Sequence, residues 1–149
     1  MHKITPFLWF NGQIQDAVAH YSSVFPSSKV LNTSPGPGGS LMSATLEIEG
    51  QPLILFNGGP TYTLSPAASL YVHCETQAEV DRLWTQLTDG GSESRCGWLV
   101  DRFGLSWQII PSILPQLLQH PDRQKAQRAM NAMLKMTKID IAALERAAA

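Results

Sequence analysis

Apolar and polar positions along this chain follow two rhythms, and the rhythms change in the same order twice. Ile4–Phe10 (ITPFLWF) reads as a strand. From Gln13 to Phe25, the residues Ile14, Ala17, Val18, Tyr21 and Val24 recur at the spacing of one helical face, and Pro26 closes the segment. Strand-like Lys29–Thr33 leads into Ser34-Pro-Gly-Pro-Gly-Gly-Ser40, which predicts a flexible connector. No helix start follows it and no P-loop lysine is present, so this glycine-rich stretch does not read as a phosphate cradle. Leu41–Glu49 and Pro52–Asn57 predict a hairpin around Glu49-Gly50, and Asn57-Gly-Gly-Pro60 then breaks the pattern.

The order recurs from Ala68. Ala68–Cys74 (ASLYVHC) is a strand, and Thr76 opens a helix as a capping box with Glu79 three residues on. Val80, Leu83, Trp84 and Leu87 form the buried face of that helix, and Gly90-Gly91 ends it. Two or three short strands follow through Pro111. Cys96–Val100 and Leu105–Pro111 read as apolar strands joined by a tight Asp101-Arg102-Phe103-Gly104 turn. Tyr21 and Trp84 hold matching places in the two halves, as do Gly50 and Gly104. Such duplication predicts an α+β fold of two βαβββ modules, about 1–60 and 65–111, forming curved mixed sheets around a central cavity. The remainder, 112–149, is helical: a short turn at Leu114–Leu118, a helix over Asp122–Met136, and a last amphipathic piece at Ile139–Arg146. The whole length of 149 residues fits one domain.

Composition narrows the class. Hydrophobic residues make up 44% of the chain and charged residues 15%, which predicts apolar surface covered by a second copy of the chain. The Met-rich 130–136 segment points the same way, so the expectation is a homodimer. A net charge of −1 without a Lys/Arg cluster argues against nucleic acid or an anionic membrane as partner. The first apolar run is too short for a signal-peptide core or a membrane span. Cys74 and Cys96, with no CxxC between them, fit free thiols in a reducing cytoplasm.

The words ITPFLWFNG (4–12), NGGP (57–60), EVDRLW (79–84), GG (90–91), CGWLVDRFGLSWQIIP (96–111) and AMLKMTKIDI (132–141), with the Ala17…Tyr21 helix face, carry a resemblance. The chain resembles the glyoxalase/bleomycin-resistance/extradiol-dioxygenase superfamily, also called vicinal oxygen chelate, over almost its whole length. Within it, the chain is similar to the PhnB-like, 3-demethylubiquinone-9 3-methyltransferase-like branch. In metal-dependent members of that superfamily, ligands come from the first and last strands of each module. The resemblance places those positions at Thr5, Ile54, Ser69 and Gln108, where a divalent ion wants imidazole or carboxylate at three or four. The expectation is therefore no metal and no other cofactor.

Strand alternation turns Leu8 and Phe10 toward the first helix and leaves Thr5, Phe7 and Trp9 on the other side; Leu70, Val72 and Cys74 face the second helix, leaving Ser69, Tyr71 and His73. The candidate substrate-binding residues are accordingly Phe7, Trp9, Tyr71, His73 and Gln108. Each has a plainer alternative. The three aromatics either wall a cavity or pack as core. His73 is either an acid or base or a strand-end imidazole bonded to backbone. Gln108 either meets a ligand or satisfies its amide on a cross-strand partner. Asn57, Asp101 and Arg102 read as turn residues, and Trp84, Trp98 and Trp107 as core. Neither cysteine has a base beside it in sequence to make it a nucleophile. Three functions stay open: a metal-free small-molecule-binding protein, an enzyme of the lyase, isomerase or methyltransferase type, or a drug- or metabolite-sequestering protein. A methyl-donor site normally needs a Gly-rich loop after a strand and an acidic residue for the ribose, and neither is found.

Overall fold

The computed structural model describes residues 2–149. They divide into two compact units, one running to Leu64 and one from Ser65 to Ala149. The first contains strand β1 (Phe7–Phe10), helix α1 (Ile14–Val24), and strands β2 (Lys29–Pro35), β3 (Leu41–Ile48) and β4 (Gln51–Asn57). The second contains β5 (Ser69–Cys74), α2 (Gln77–Thr88), β6 (Ser92–Glu93), β7 (Trp98–Val100) and β8 (Ser106–Pro111), then helices α3 (Ile113–Leu118), α4 (Arg123–Met133) and α5 (Ile141–Ala148). Each unit holds a four-stranded sheet of the same topology, β1-β4-β3-β2 and β5-β8-β7-β6. The first strand of each pairs parallel with the last and the rest pair antiparallel. The twice-repeated βαβββ order thus stands as the sequence predicts.

In the first unit α1 packs on β3 and β4. Ile14, Ala17, Tyr21 and Val24 from the helix, and Phe10, Ala44, Leu46, Leu53 and Leu55 from the sheet, are all 2% exposed or less. Burying each of the larger side chains contributes about 2 kcal/mol. The β3–β4 hairpin turns on Glu49 and Gly50, at φ 49° and 81°. Positive φ at both central residues matches the twist of the flanking strands, and glycine takes the second such position without strain. In the second unit the buried faces are Val80, Leu83, Trp84 and Leu87 on α2, and Cys74, Leu99, Trp107 and Ile109 on the sheet. Tyr21 and Trp84 do occupy equivalent core places.

Three expectations change. Strand pairing begins later than Ile4: Pro6 has no N–H to give, and its carbonyl accepts from the Ile54 N–H at 3.0 Å just before the ladder starts at Phe7. The glycine- and proline-rich connector is a closed turn, with the Gly36 N–H donating to the Ser40 carbonyl at 2.7 Å and a 3-10 turn at Pro37–Gly39. Trp98 is half-buried, unlike Trp84 and Trp107, because it lies on the sheet face that α2 does not cover.

The second sheet is fastened at its last hairpin by Asp101, which is 3% exposed. Its Oδ1 accepts from the Phe103 and Leu105 N–H groups at 2.9 and 3.0 Å, and its Oδ2 from the Trp107 indole at 2.9 Å. Arg102 forms an ion pair with Asp89 at 3.1 Å, tying the same turn to the end of α2. Both residues serve the turn, as expected.

The C-terminal helices build a second, smaller core from Ile110, Leu114, Ile139 and Leu144, with Met133 and Met136 packed against it. Those methionines are partly buried against this core, while Leu134 in the same segment stays 51% exposed. The Gln77 side chain fastens this segment to α2 by donating to the Ile139 carbonyl at 2.9 Å and accepting from the Ile141 N–H at 2.7 Å. Lys138 adds an ion pair to Asp81 at 2.8 Å.

Replacing Asp101 by Ala orphans two backbone N–H groups and an indole N–H. The expected loss is about 3 kcal/mol. Urea unfolding measures it, and Asp101→Asn, which keeps one acceptor oxygen, should retain part of the difference.

Candidate functional site

Helix α1 or α2 covers one face of each sheet; on the opposite face of the second sheet the C-terminal helices close over Ile110, and the part around Tyr71 and Gln108 stays open. On the open face of the first sheet, pairing sets Phe7 beside Ile54, with Thr45 next in the row, and Trp9 beside Phe56, with Ser43 next. Four rings form a continuous group there. Phe7 and Phe56 have centroids 5.3 Å apart, Trp9 and Phe56 5.2 Å, and Trp9 and Tyr62 5.0 Å in an edge contact. The Trp9 indole donates to the Gly59 carbonyl at 2.9 Å. Gly58 lies flat against the same ring, where an added Cβ would stand 2.2 Å from it. Asn57 has a role the sequence did not suggest. Its Oδ1 accepts from the Ile14 N–H at 3.2 Å, and its Nδ2 donates to the Leu41 carbonyl at 2.9 Å. It thereby caps α1 from a distant strand, since Gln13 at the helix start supplies no side-chain cap.

On the open face of the second sheet, Gln108 sits between Tyr71 on β5 and Trp98 on β7 as the register partner of both. The Gln108 Nε2 donates to the Ser69 Oγ at 3.0 Å. The cross-strand partner considered for this amide therefore exists, and the half-buried side chain keeps further capacity. Tyr71 is 42% exposed, which sets it apart from core aromatics. Partial burial raises its phenol above the ordinary tyrosine value, so at neutral pH it remains an O–H donor. His73 is exposed, with its ring 4.8 Å from that of Tyr71 and tilted against it. The bond to backbone expected for a strand-end histidine is not formed.

Of the five candidates, the structure brings Tyr71, His73 and Gln108 together on one face of the second unit. Phe7 and Trp9 stand together on the open face of the first. The cysteines are not part of either group. Burial, with the Glu79 carboxylate beside it, pushes the Cys74 thiol up to about 12, far from a thiolate at neutral pH. Cys96 adopts φ 58° in a turn where its N–H donates to the Met136 carbonyl at 2.9 Å.

The family model for 3-demethylubiquinone-9 3-methyltransferase matches residues 2–110. The chain belongs to this family. A PhnB protein from Bacillus cereus, assigned to the same methyltransferase group, is similar at 31% identity over 74% of this chain and 100% of that one, with a TM-score of 0.70. A Pseudomonas aeruginosa protein matches at 22% identity over 74% and 98%, with a TM-score of 0.62. The fold extends to the fosfomycin resistance protein FosX of Listeria monocytogenes, solved with manganese(II) and sulfate, at 14% identity over 72% and 90% and a TM-score of 0.55. No curated protein matches. The likeness to FosX places this 3-demethylubiquinone-9 3-methyltransferase family member in the glyoxalase fold and carries nothing about its chemistry.

The metal positions implied by that fold do not fit a metal here. Ile54 offers no donor atom, Thr5 and Ser69 offer neutral hydroxyls, and Gln108 offers an amide already bonded to Ser69. Among the described residues, no group of three His, Cys, Asp or Glu side chains could hold an ion. Elemental analysis of untagged protein purified without chelator should find divalent metal well below one ion per chain. Stoichiometric metal lost on chelation together with ligand binding would overturn this assignment.

The Gly58–Trp9 contact gives a second test. Gly58→Ala forces the indole out of its place, so the Trp9 fluorescence and near-ultraviolet circular dichroism should change while the far-ultraviolet spectrum is kept.

Proposed function

We propose that this family member is a metal-independent protein that binds small, partly apolar molecules on its open sheet faces, through Phe7 and Trp9 on the first unit and through Tyr71, His73 and Gln108 on the second. One observation carries the reading. Aromatic rings that a packed core would bury stay exposed on the faces opposite α1 and α2, with Phe7 57% and Tyr71 42% exposed, and Tyr71 adjoins an amide with hydrogen-bonding capacity to offer. Apolar rings supply contact area and a few polar groups fix orientation, as in small-molecule sites generally.

The reading includes a homodimer in the cytoplasm, with no nucleic acid and no membrane as partner. Phe7, Val30 and Leu31 are about half exposed or more, and β2 is exposed along its whole length. A second copy would remove such surface from water. The described chain has no helix long and apolar enough to cross a membrane. Light scattering at micromolar concentration should give twice the chain mass of 16.4 kDa. A particle of one chain mass refutes the dimer.

Native mass spectrometry after incubation with a mixture of uncharged aromatic and alicyclic metabolites tests the binding itself. Adducts should form on the parent and be lost from a Phe7→Ser/Tyr71→Ser double variant that unfolds at the same temperature. Adducts of equal abundance on both proteins would sink the proposal.

A further inference from the structure

We infer that the Ser69–Gln108 pair on the second sheet is a recognition site for an uncharged amide edge, a carboxamide or lactam carried on a flat ring. The inference rests on the reading of this face as a ligand surface and names the class of ligand it takes.

The chemistry of the pair is set by what its atoms have already used. One N–H of the Gln108 amide goes to the Ser69 Oγ at 3.0 Å. That leaves the amide its carbonyl oxygen as acceptor and a second N–H as donor, and it leaves Ser69 its own hydroxyl proton. Turning the amide over does not change the balance. Its oxygen would then accept from Ser69 while both N–H groups stayed free and the serine oxygen became the acceptor. Either way the pair presents a donor and an acceptor side by side, which is the complement of an amide edge.

A second observation points to a missing partner in the same row. Ser106, the register partner of Ser69, is 1% exposed, and its Oγ has no hydrogen-bond partner. A buried hydroxyl without a partner is costly, and it adds one more hydrogen-bonding group to the row that holds Ser69.

Charge decides against an anion. On β5, β7 and β8 the side chains that share this face are Ser69, Tyr71, His73, Trp98, Val100, Ser106, Gln108 and Ile110, none of them carboxylate, ammonium or guanidinium. A carboxylate or phosphonate brought here would lose hydration with no fixed positive charge to replace it. The flanks suit a ring. Tyr71 and Trp98 stand on either side of Gln108 in register, so an amide held by Gln108 and Ser69 carries its ring toward an aromatic neighbour.

Benzamide and benzoate test this as a matched pair, since they share size and ring and differ in charge and in the amide N–H. The isotope-labelled protein is titrated with each at pH 7.5 and followed by NMR. Benzamide should move the signals of Ser69, Tyr71 and the Gln108 side chain, with a Kd at least about tenfold below that of benzoate. Gln108→Leu roughly conserves volume, and it should raise the benzamide Kd at least about fivefold while leaving benzoate within about twofold. Ser69→Ala, a smaller change at the other end of the pair, should weaken benzamide in the same direction. Equal affinity of the two probes at Tyr71, or benzamide binding undiminished in both variants, overturns the amide site and leaves the ligand surface standing. If neither probe moves Tyr71, His73 or Gln108, both readings fail.

Discussion

One helix cannot cover both faces of a four-stranded sheet, and this limit governs the rest of the molecule. Each unit buries one sheet face under α1 or α2, where Phe10, Leu46, Leu55, Cys74, Leu99 and Ile109 are closed to water. The period of two along every strand then forces the intervening residues onto the other side, whatever their character. Phe7, Trp9, Phe56, Tyr71 and Gln108 stand on open faces because Phe10, Leu55 and Ile109 must stand on closed ones. Selection acts on the open residues under a different rule. They are not held to close core packing, so their chemistry is less constrained by the fold.

The fold fixes these faces with few, well-placed polar contacts. Asp101 collects two backbone N–H groups and an indole at the hairpin that leads into β8, so the strand bearing Gln108 starts from a rigid turn. Asn57 does related work in the first unit by capping α1 from the end of β4. The C-terminal helices, which begin where the family match ends, fasten to α2 through Gln77 and Lys138 and close over Ile110. A buried group that satisfies several donors at once tolerates no simple substitute, because losing it strands every partner together.

The same fold is found with a bound ion elsewhere, in FosX solved with manganese(II). Fold and chemistry separate cleanly in this chain. The strands that would carry ligands are present and paired, yet they bear hydroxyl, amide and alkyl groups. What remains on the open faces is a set of aromatic rings, hydroxyls and an amide.

Much of this was legible before any coordinates. Helical spacing picked out Ile14, Ala17, Tyr21 and Val24, and Val80, Leu83, Trp84 and Leu87, because an amphipathic helix on a sheet has only one way to bury its apolar stripe. Alternation likewise separated Phe7 and Trp9 from Phe10, and Tyr71 and His73 from Cys74, since a strand gives its side chains only two directions. Contacts between residues distant in sequence were another matter. Neither period nor propensity could say that Asn57 reaches Ile14, that Gln77 holds Ile139 and Ile141, or that Met133 and Met136 pack inward. Nor could they decide whether Gln108 stood alone or bonded Ser69. Periodicity reports the direction in which a side chain leaves its own element. Which group it meets there depends on how separate elements pack, and only the tertiary structure decides that.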